Sequence, residues 1–493
     1  MAWNKYVTVE VPLLLCMFCL MLQLNVSTNM LIYRTCYALL DYDESECALL
    51  GKVENETTAS LERKVQPTFN YINMVSTVMN SLVPLVFCMY VGTWSDKFGR
   101  KPFMLLSLIG LTLTNMTTTI IVLFENASPW LFLISFIPSL LTGGFVTLMI
   151  VISAYLADVS TSQTRVVRMA VYEIVMGLGT FLGNIVSSYL LYGTDYKTVY
   201  IIITGLHGVA TIYTFFFIPE SIKGEKQVPK LKHLLKYINL TDIAKNTFKK
   251  RPNNARGYLL AVLGIIFFQT FSMGEMSVQT LFLRAKLNWT LTKITITSSV
   301  TSVGNIIGTI GGTYFLYKLL KIGELKLALF SILSFSAASI LRGLSTMDKD
   351  YFIYIASFIG IFNGIQGIMI RTIISYIVSP EEIGKIFALQ SIIMNVNMML
   401  SNLLFQAIYN ATLETDSGIF YFVSATINGL AGVGILLLLN VKVPVHPEAA
   451  KEAEKPENEF RKISMNINNF EVLSIDEKRS SNTISLGFST IPG

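Results

Sequence analysis

Between two long apolar runs the chain reads Gly92-Thr93-Trp94-Ser95-Asp96-Lys97-Phe98-Gly99-Arg100-Lys101. The run before it covers residues 69–91 and the run after it 102–124. Each is close to the length of about 20 residues that crosses a hydrocarbon layer of roughly 30 Å. A short basic turn joining two such runs predicts a hairpin of membrane helices. The backbone must close its own hydrogen bonds where lipid supplies no water, so each run is expected to be a helix.

The rest of the chain repeats that pattern. With 493 residues, 52% hydrophobic side chains, 14% charged and a mean hydropathy of +0.55, the sequence carries too much apolar surface for one water-soluble core. Apolar runs fall at 9–33, 69–91, 102–124, 129–154, 166–192 and 198–218, then at 257–282, 293–317, 326–344, 351–378, 386–409 and 418–441. The expected fold is an all-α membrane protein of twelve helices in two six-helix bundles. The first bundle is 1–219, a basic linker 220–256, the second bundle 257–443, and a tail 444–493. The tail is rich in Glu, Lys, Asn, Ser and Pro, a composition expected to stay disordered.

Lys and Arg placement sets the expected orientation. With both ends on one face, that face carries 27 basic residues and the opposite face 10, so both termini are expected in the cytoplasm. The net charge of +6 then belongs to loops beside anionic lipid and does not indicate a nucleic-acid partner. The first apolar run is too long for a cleaved signal peptide and is read as a span. The loop 34–68 is acidic, and Asn55-Glu56-Thr57 is its candidate glycosylation sequon. The sequons at Asn126, Asn288 and Asn410 lie close to helix ends, and the one at Asn239 faces the cytoplasm. Cys36 and Cys47 fit a disulfide on an oxidising face, two free thiols being the alternative. Cys16, Cys19 and Cys88 read as packing residues.

The quoted turn resembles the signature G-x-x-x-D-[RK]-x-G-R-[RK] of the major facilitator superfamily, whose twelve helices form two six-helix halves. Gly92 and Gly99 permit a tight turn, Asp96 is expected to accept from a neighbouring helix N-terminus, and Arg100 and Lys101 anchor at the interface. The equivalent turn of the second half, from Gly312 to Glu324, has glycine and basic residues but no matching Asp. Pro219-Glu220-Ser221 resembles the superfamily's exit from helix 6. A more specific resemblance runs through Gly143-Gly144, Ala157-Asp158-Val159-Ser160, Arg165, Arg168-Met169-Ala170, Glu173, Arg371 and the stretch Glu381 to Ala388. These resemble solute carrier family 46, the family of the proton-coupled folate transporter. The resemblance implies a proton-linked carrier of bulky, often anionic organic solutes, with folates, peptidoglycan fragments and cyclic dinucleotides among the classes its members move. Folate-transporting relatives have a histidine in helix 7, whereas Phe271-Ser272-Met273-Gly274-Glu275 has none.

Intramembrane polar residues supply the candidate site, because a mid-bilayer carboxylate costs about 2.5–3.5 kcal/mol even on the lenient insertion scale. Glu173, desolvated in helix 5, is the expected proton carrier, with a structural pair to Arg165 or Arg168 as the competing role. Glu275 is the second carboxyl, its alternative a lipid-facing position. Arg371 and Gln366 in helix 10 and Gln23 in helix 1 are the expected substrate ligands, since a guanidinium captures carboxylate or phosphate in two-pronged fashion. A cytoplasmic latch is the alternative for Arg371, and helix-to-helix hydrogen bonding for Gln23. Glycines at 179 and 183 and at 304, 308 and 312 read as ridges for close helix packing.

No phosphate-cradling G-x-x-x-x-G-K-[ST] loop, metal cluster or nucleophile triad occurs, so neither an enzyme nor an ATP-driven pump is expected, and no cofactor or metal is implied. Expected partners are a small organic solute, protons and membrane lipid. The plasma membrane is favoured, with an endolysosomal membrane as the other location. The rival class is a receptor or sensor that keeps a transporter fold without flux.

Overall fold

The computed structural model describes residues 9–53, 55–160, 165–221, 247–378 and 380–444. Within them the chain is helical. The first half comprises α1 (Glu10–Arg34), α2 (Glu56–Phe98), α3 (Lys101–Leu123), α4 (Pro129–Leu131, Phe132–Ser135, Ile137–Leu141 and Gly144–Val159), α5 (Arg165–Gly193) and α6 (Tyr196–Phe217). The second half comprises α7 (Ala255–Ser272, Met273–Glu275 and Met276–Ala285), α8 (Leu291–Gly312), α9 (Glu324–Gly343), α10 (Tyr351–Ile359, Gly360–Phe362 and Ile365–Ile377), α11 (Pro380–Thr412) and α12 (Ile419–Leu439).

Ten of these are long and apolar enough to span a bilayer by length and composition among the described residues. The remaining two helices are α2 and α8. In α8 the stretch Thr295-Ile296-Thr297-Ser298-Ser299 packs against α5, where Thr295 donates to Ser188 Oγ at 3.1 Å.

Most helix ends follow the expected runs within a few residues, but α11 begins at Pro380 instead of residue 386, α4 runs on to Val159, and α2 spans Glu56–Phe98 instead of 69–91. The charged stretch 56–68 resembles a loop in hydropathy. Its start is fixed by a capping box in which Asn55 Oδ1 accepts from Thr58 N at 2.7 Å. Leu61, Val65 and Phe69 then recur every four residues and bury one stripe between the halves. The loop that remains is short, and Cys36 and Cys47 form a disulfide within it, with Cα–Cα 5.8 Å.

In the first half α3 packs along α6, and α9 packs along α12 in the second, as an internal repeat requires. Across the halves α2 meets α11 and α5 meets α8, a pair of contacts that a two-fold operation exchanges. Small residues set other close approaches, within each half. A Cβ on Gly183 would lie 2.6 Å from Phe18 O of α1, and one on Gly308 would overlap the backbone of Ile361 in α10.

Candidate functional site

The face bearing residues 92–101 is organised by two carboxylates. Gly99 turns the chain at φ +97°, and a side chain there would overlap the Glu220 carboxylate. Glu220 accepts from the backbone N–H of Arg100 at 2.7 Å and of Lys101 at 3.1 Å, so it caps the positive N-terminus of α3. Arg100 Nε donates to Asp158 at 2.9 Å, and its NH1 donates to Ser95 Oγ at 2.5 Å. Lys101 donates to Phe215 O at 2.7 Å. The turn thus ties α2, α3, α4 and the exit of α6 into one block. The carboxylate at the α3 start is Glu220; the side chains of Asp96 and Arg165 lie outside the described residues.

At the opposite face, which carries the 36–47 disulfide, the two halves are sealed together. Arg284 of α7 is buried and donates from Nε to Glu62 of α2 at 2.7 Å, with a second contact from NH2 to the same oxygen. Its NH1 donates to Asn29 Oδ1 of α1 at 2.9 Å, and Asn29 Nδ2 donates to Tyr196 Oη at 2.7 Å. Gln66 Nε2 donates to the other Glu62 oxygen at 2.9 Å and to Leu281 O at 3.2 Å, while Tyr409 of α11 donates to Gln66 Oε1 at 2.7 Å. One turn below, Asn70 donates to Gln406 O and Asn410 Oδ1. This places Asn410 inside the closed interface. The disulfide loop lies on top: Gly51 O accepts from Leu291 N at 2.9 Å and Tyr192 Oη at 2.8 Å.

A cavity of about 200 Å³ opens in the second half, with Gln269, Gln366, Arg371 and Gln390 as polar lining and Met273 and Met394 as apolar lining. The structure therefore brings two of the three expected substrate ligands, Gln366 and Arg371, to one cavity. Gln366 is buried with its Oε1 unpartnered, and Arg371 is exposed. Gln23 is half-buried elsewhere, in α1. Its neighbours turn to different helices: Asn25 donates to Asn184 and Ser187 at 3.0 Å each, and Ser27 bonds Tyr200.

The two candidate carboxyls lie in different settings, and for Glu275 only the lipid-facing alternative is removed. Glu275 does not face lipid. It is fully buried in α7, accepting from Arg342 NH1 at 2.9 Å and Ser339 Oγ at 2.8 Å, because the short 3-10 segment Met273–Glu275 turns it toward α9. Glu173 is exposed rather than buried. Contacts between α5 and α8 include Gly177 with Ile306, one turn beyond Glu173, and Ser188 with Thr295 toward the end of α5. Among the described residues no ion pair to Glu173 is seen. Arg168 is half-buried on the same helix.

Hydropathy hides the seal from sequence reading. Glu62 and Gln66 sit four apart in the charged stretch that reads as loop, and Arg284 ends an apolar run as one more loop-face cation. The signal available was the spacing Glu62-x-x-x-Gln66 beside Leu61 and Val65, which marks a helix with one polar and one apolar stripe.

Two helical halves sealed at one face, with a polar-lined cavity in the second half, have the architecture of a membrane carrier. The sequence profile of the Major Facilitator Superfamily matches residues 13–402. A Drosophila melanogaster protein described as a probable peptidoglycan muropeptide transporter SLC46 is 30% identical over 429 residues, covering 84% of this chain and 81% of its own. The proton-coupled folate transporter of Bos taurus is 25% identical over 452 residues, covering 91% and 95%. The crystal structure of a human organic anion transporter superposes with a TM-score of 0.59 at 16% identity, covering 88% of this chain and 99% of that one. The chain belongs to the major facilitator superfamily and, within it, to solute carrier family 46. It is a multi-pass membrane transporter, not an enzyme.

Proposed function

We propose that this transporter moves a bulky, anionic organic solute coupled to protons by alternating access. The termini are cytoplasmic and the disulfide loop faces outside or into an acidic lumen. The observation that carries this reading is the one-sided seal: the inter-half hydrogen bonds described above cluster at the disulfide-loop face, while the Arg371 cavity lies on the other side of them. A carrier at one end of its cycle requires that arrangement, and the amide and guanidinium lining suits a carboxylate or phosphate carried on a large polar frame. The relatives' descriptions, a muropeptide transporter and a proton-coupled folate transporter, support solutes of that kind and proton linkage.

Glu173 is the proposed proton carrier. It lies between the basic turn block and the middle of α5, and no imidazole is available in α7 to share the task. Glu275 is assigned to holding α7 on α9. The gating group comprises Gly92, Asp96, Gly99, Arg100, Lys101, Asp158, Arg165 and Arg168, and Asn55 is the glycan site. Uptake of labelled folate, antifolate, muropeptide and nucleotide solutes at outside pH 5.5 and 7.5 tests the reading. Acid-stimulated accumulation of an anionic member of the panel supports it. Binding of such a solute without gradient-driven accumulation would instead indicate a sensor.

A further inference from the structure

We propose that Glu62 and Arg284 are the latch of the disulfide-loop gate and that protonation of Glu62 releases it. The inference rests on the proton-linked reading above, but concerns a different carboxyl on the opposite side of the seal from Glu173.

The latch joins the halves through charge. Glu62 belongs to α2 of the first half and Arg284 to α7 of the second; their side chains are 4% and 1% exposed. Every acceptor around the guanidinium other than Glu62 is neutral. Asn29 comes from α1, the Gly51 loop lies over it, and a Cβ on Gly51 would stand 2.8 Å from Arg284 NH2. Titratable neighbours are Tyr192 of α5, Tyr196 of α6 and Tyr409 of α11, phenols rather than carboxylates, and the further charge near Tyr409 is the cation Arg63 of α2. Along α7, Lys286 is engaged by Asp416 at 2.7 Å. Glu62 is thus the counter-ion of a buried guanidinium.

A buried ion pair is strongly destabilised when one partner loses its charge, because the other is left desolvated. A proton on Glu62 leaves Arg284 with Asn29 and uncharged oxygens, and water can solvate it only if the halves part. Glu62 is in the second turn of α2, below the Gly51 loop, so it meets protons from the acidic compartment as soon as the loop lifts. Because the ion pair that closes the gate requires the ionised carboxylate, protonation shifts the population toward the open state, the direction import requires. Glu173 then carries the proton inward from a gate that acid has already loosened.

Gate opening can be read without transport. Spin labels at the exposed loop positions Asn126, in the first half, and Thr415, in the second, report the separation of the halves in nanodiscs without solute. The wild-type distance distribution should shift toward longer separations from pH 7.5 to 5.5. Glu62→Gln, which keeps the amide hydrogen-bonding shape but no charge, should show the long separation at both pH values. Glu62→Asp, which keeps the charge, should remain closed at pH 7.5 and still respond to acid, and it tests the latch if the Gln variant does not fold. A Glu62→Gln protein that stays closed at pH 7.5, a wild type whose separation ignores pH, or a Glu62→Asp protein that stays open at both values overturns the proposal. Glu173→Gln should leave the distance response intact, so loss of proton-driven uptake in that variant bears on the transport reading and not on the latch.

Discussion

Replacing Arg342 with Met strips the fully buried Glu275 of its cation and leaves it only serine hydroxyls, Ser339 Oγ at 2.8 Å and Ser424. Removing one partner of a buried pair costs about 3–5 kcal/mol, because the surviving charge is desolvated without compensation. The pair itself is worth far less. Arg342 Nε has no partner among the described residues, so the guanidinium is incompletely satisfied there, and replacing both residues by apolar ones of similar size should be nearly neutral. Arg342→Met alone and Glu275→Met alone should each lose several kcal/mol, and the double variant about 1 kcal/mol or less. The coupling energy is then about 5 kcal/mol or more in magnitude. Unfolding in mixed micelles with increasing SDS, followed by the fluorescence of the four tryptophans, gives the three differences. If Arg342→Met costs under about 1 kcal/mol, or the double variant equals the sum of the singles, Glu275 is not held as a buried ion pair and its assignment to structure fails.

Asn55 both begins the candidate sequon and caps α2, so Asn55→Gln should remove the glycan-dependent mobility shift and also cost about 1 kcal/mol of stability. Thr57→Ala should remove the shift alone, and a shift that survives both variants would exclude the site. Asp96→Ala should slow turnover with solute affinity unchanged; equal turnover would reduce the segment to an ordinary turn. Glu382 at the start of α11 is held below the usual carboxylate range by the Lys249 hydrogen bond, with Arg251 adding to it. Its native pKa is the lower one, so the pair's stabilisation, about 1 kcal/mol at most, is present above the ordinary glutamate value and lost as pH falls through the lowered one. Glu382→Gln should therefore be less stable than wild type at neutral pH and equal to it in strong acid, as thermal unfolding across pH can measure.

The sequence made the spans legible because lipid imposes one rule on every run: enough apolar length, helical throughout. It made the basic turn legible because glycine and charge recur there for steric and electrostatic reasons, seen in the Gly99 turn over Glu220. It did not reveal α2's first three turns, where a helix facing the other half carries Glu62, Arg63, Lys64 and Gln66 and so has the composition of a loop. The latch was hidden for the same reason. Arg371 and Gln366 stood out as polar residues in an apolar run, yet Gln269 and Gln390, which complete the cavity lining from α7 and α11, meet them only through tertiary packing. The direction of a carboxyl was equally beyond the sequence: Glu275 turns inward on a 3-10 segment and Glu173 outward, and no periodicity distinguishes them.

Proton coupling through Glu173 is tested most directly in proteoliposomes holding wild type or Glu173→Gln, loaded with the solute identified from the uptake panel. The Gln side chain keeps size and hydrogen bonding but fixes the neutral form. Exchange of labelled for unlabelled solute at equal pH should persist in the variant, since exchange moves no net proton, while uphill accumulation driven by an acid-outside gradient should vanish. Normal gradient-driven accumulation by Glu173→Gln would contradict the account.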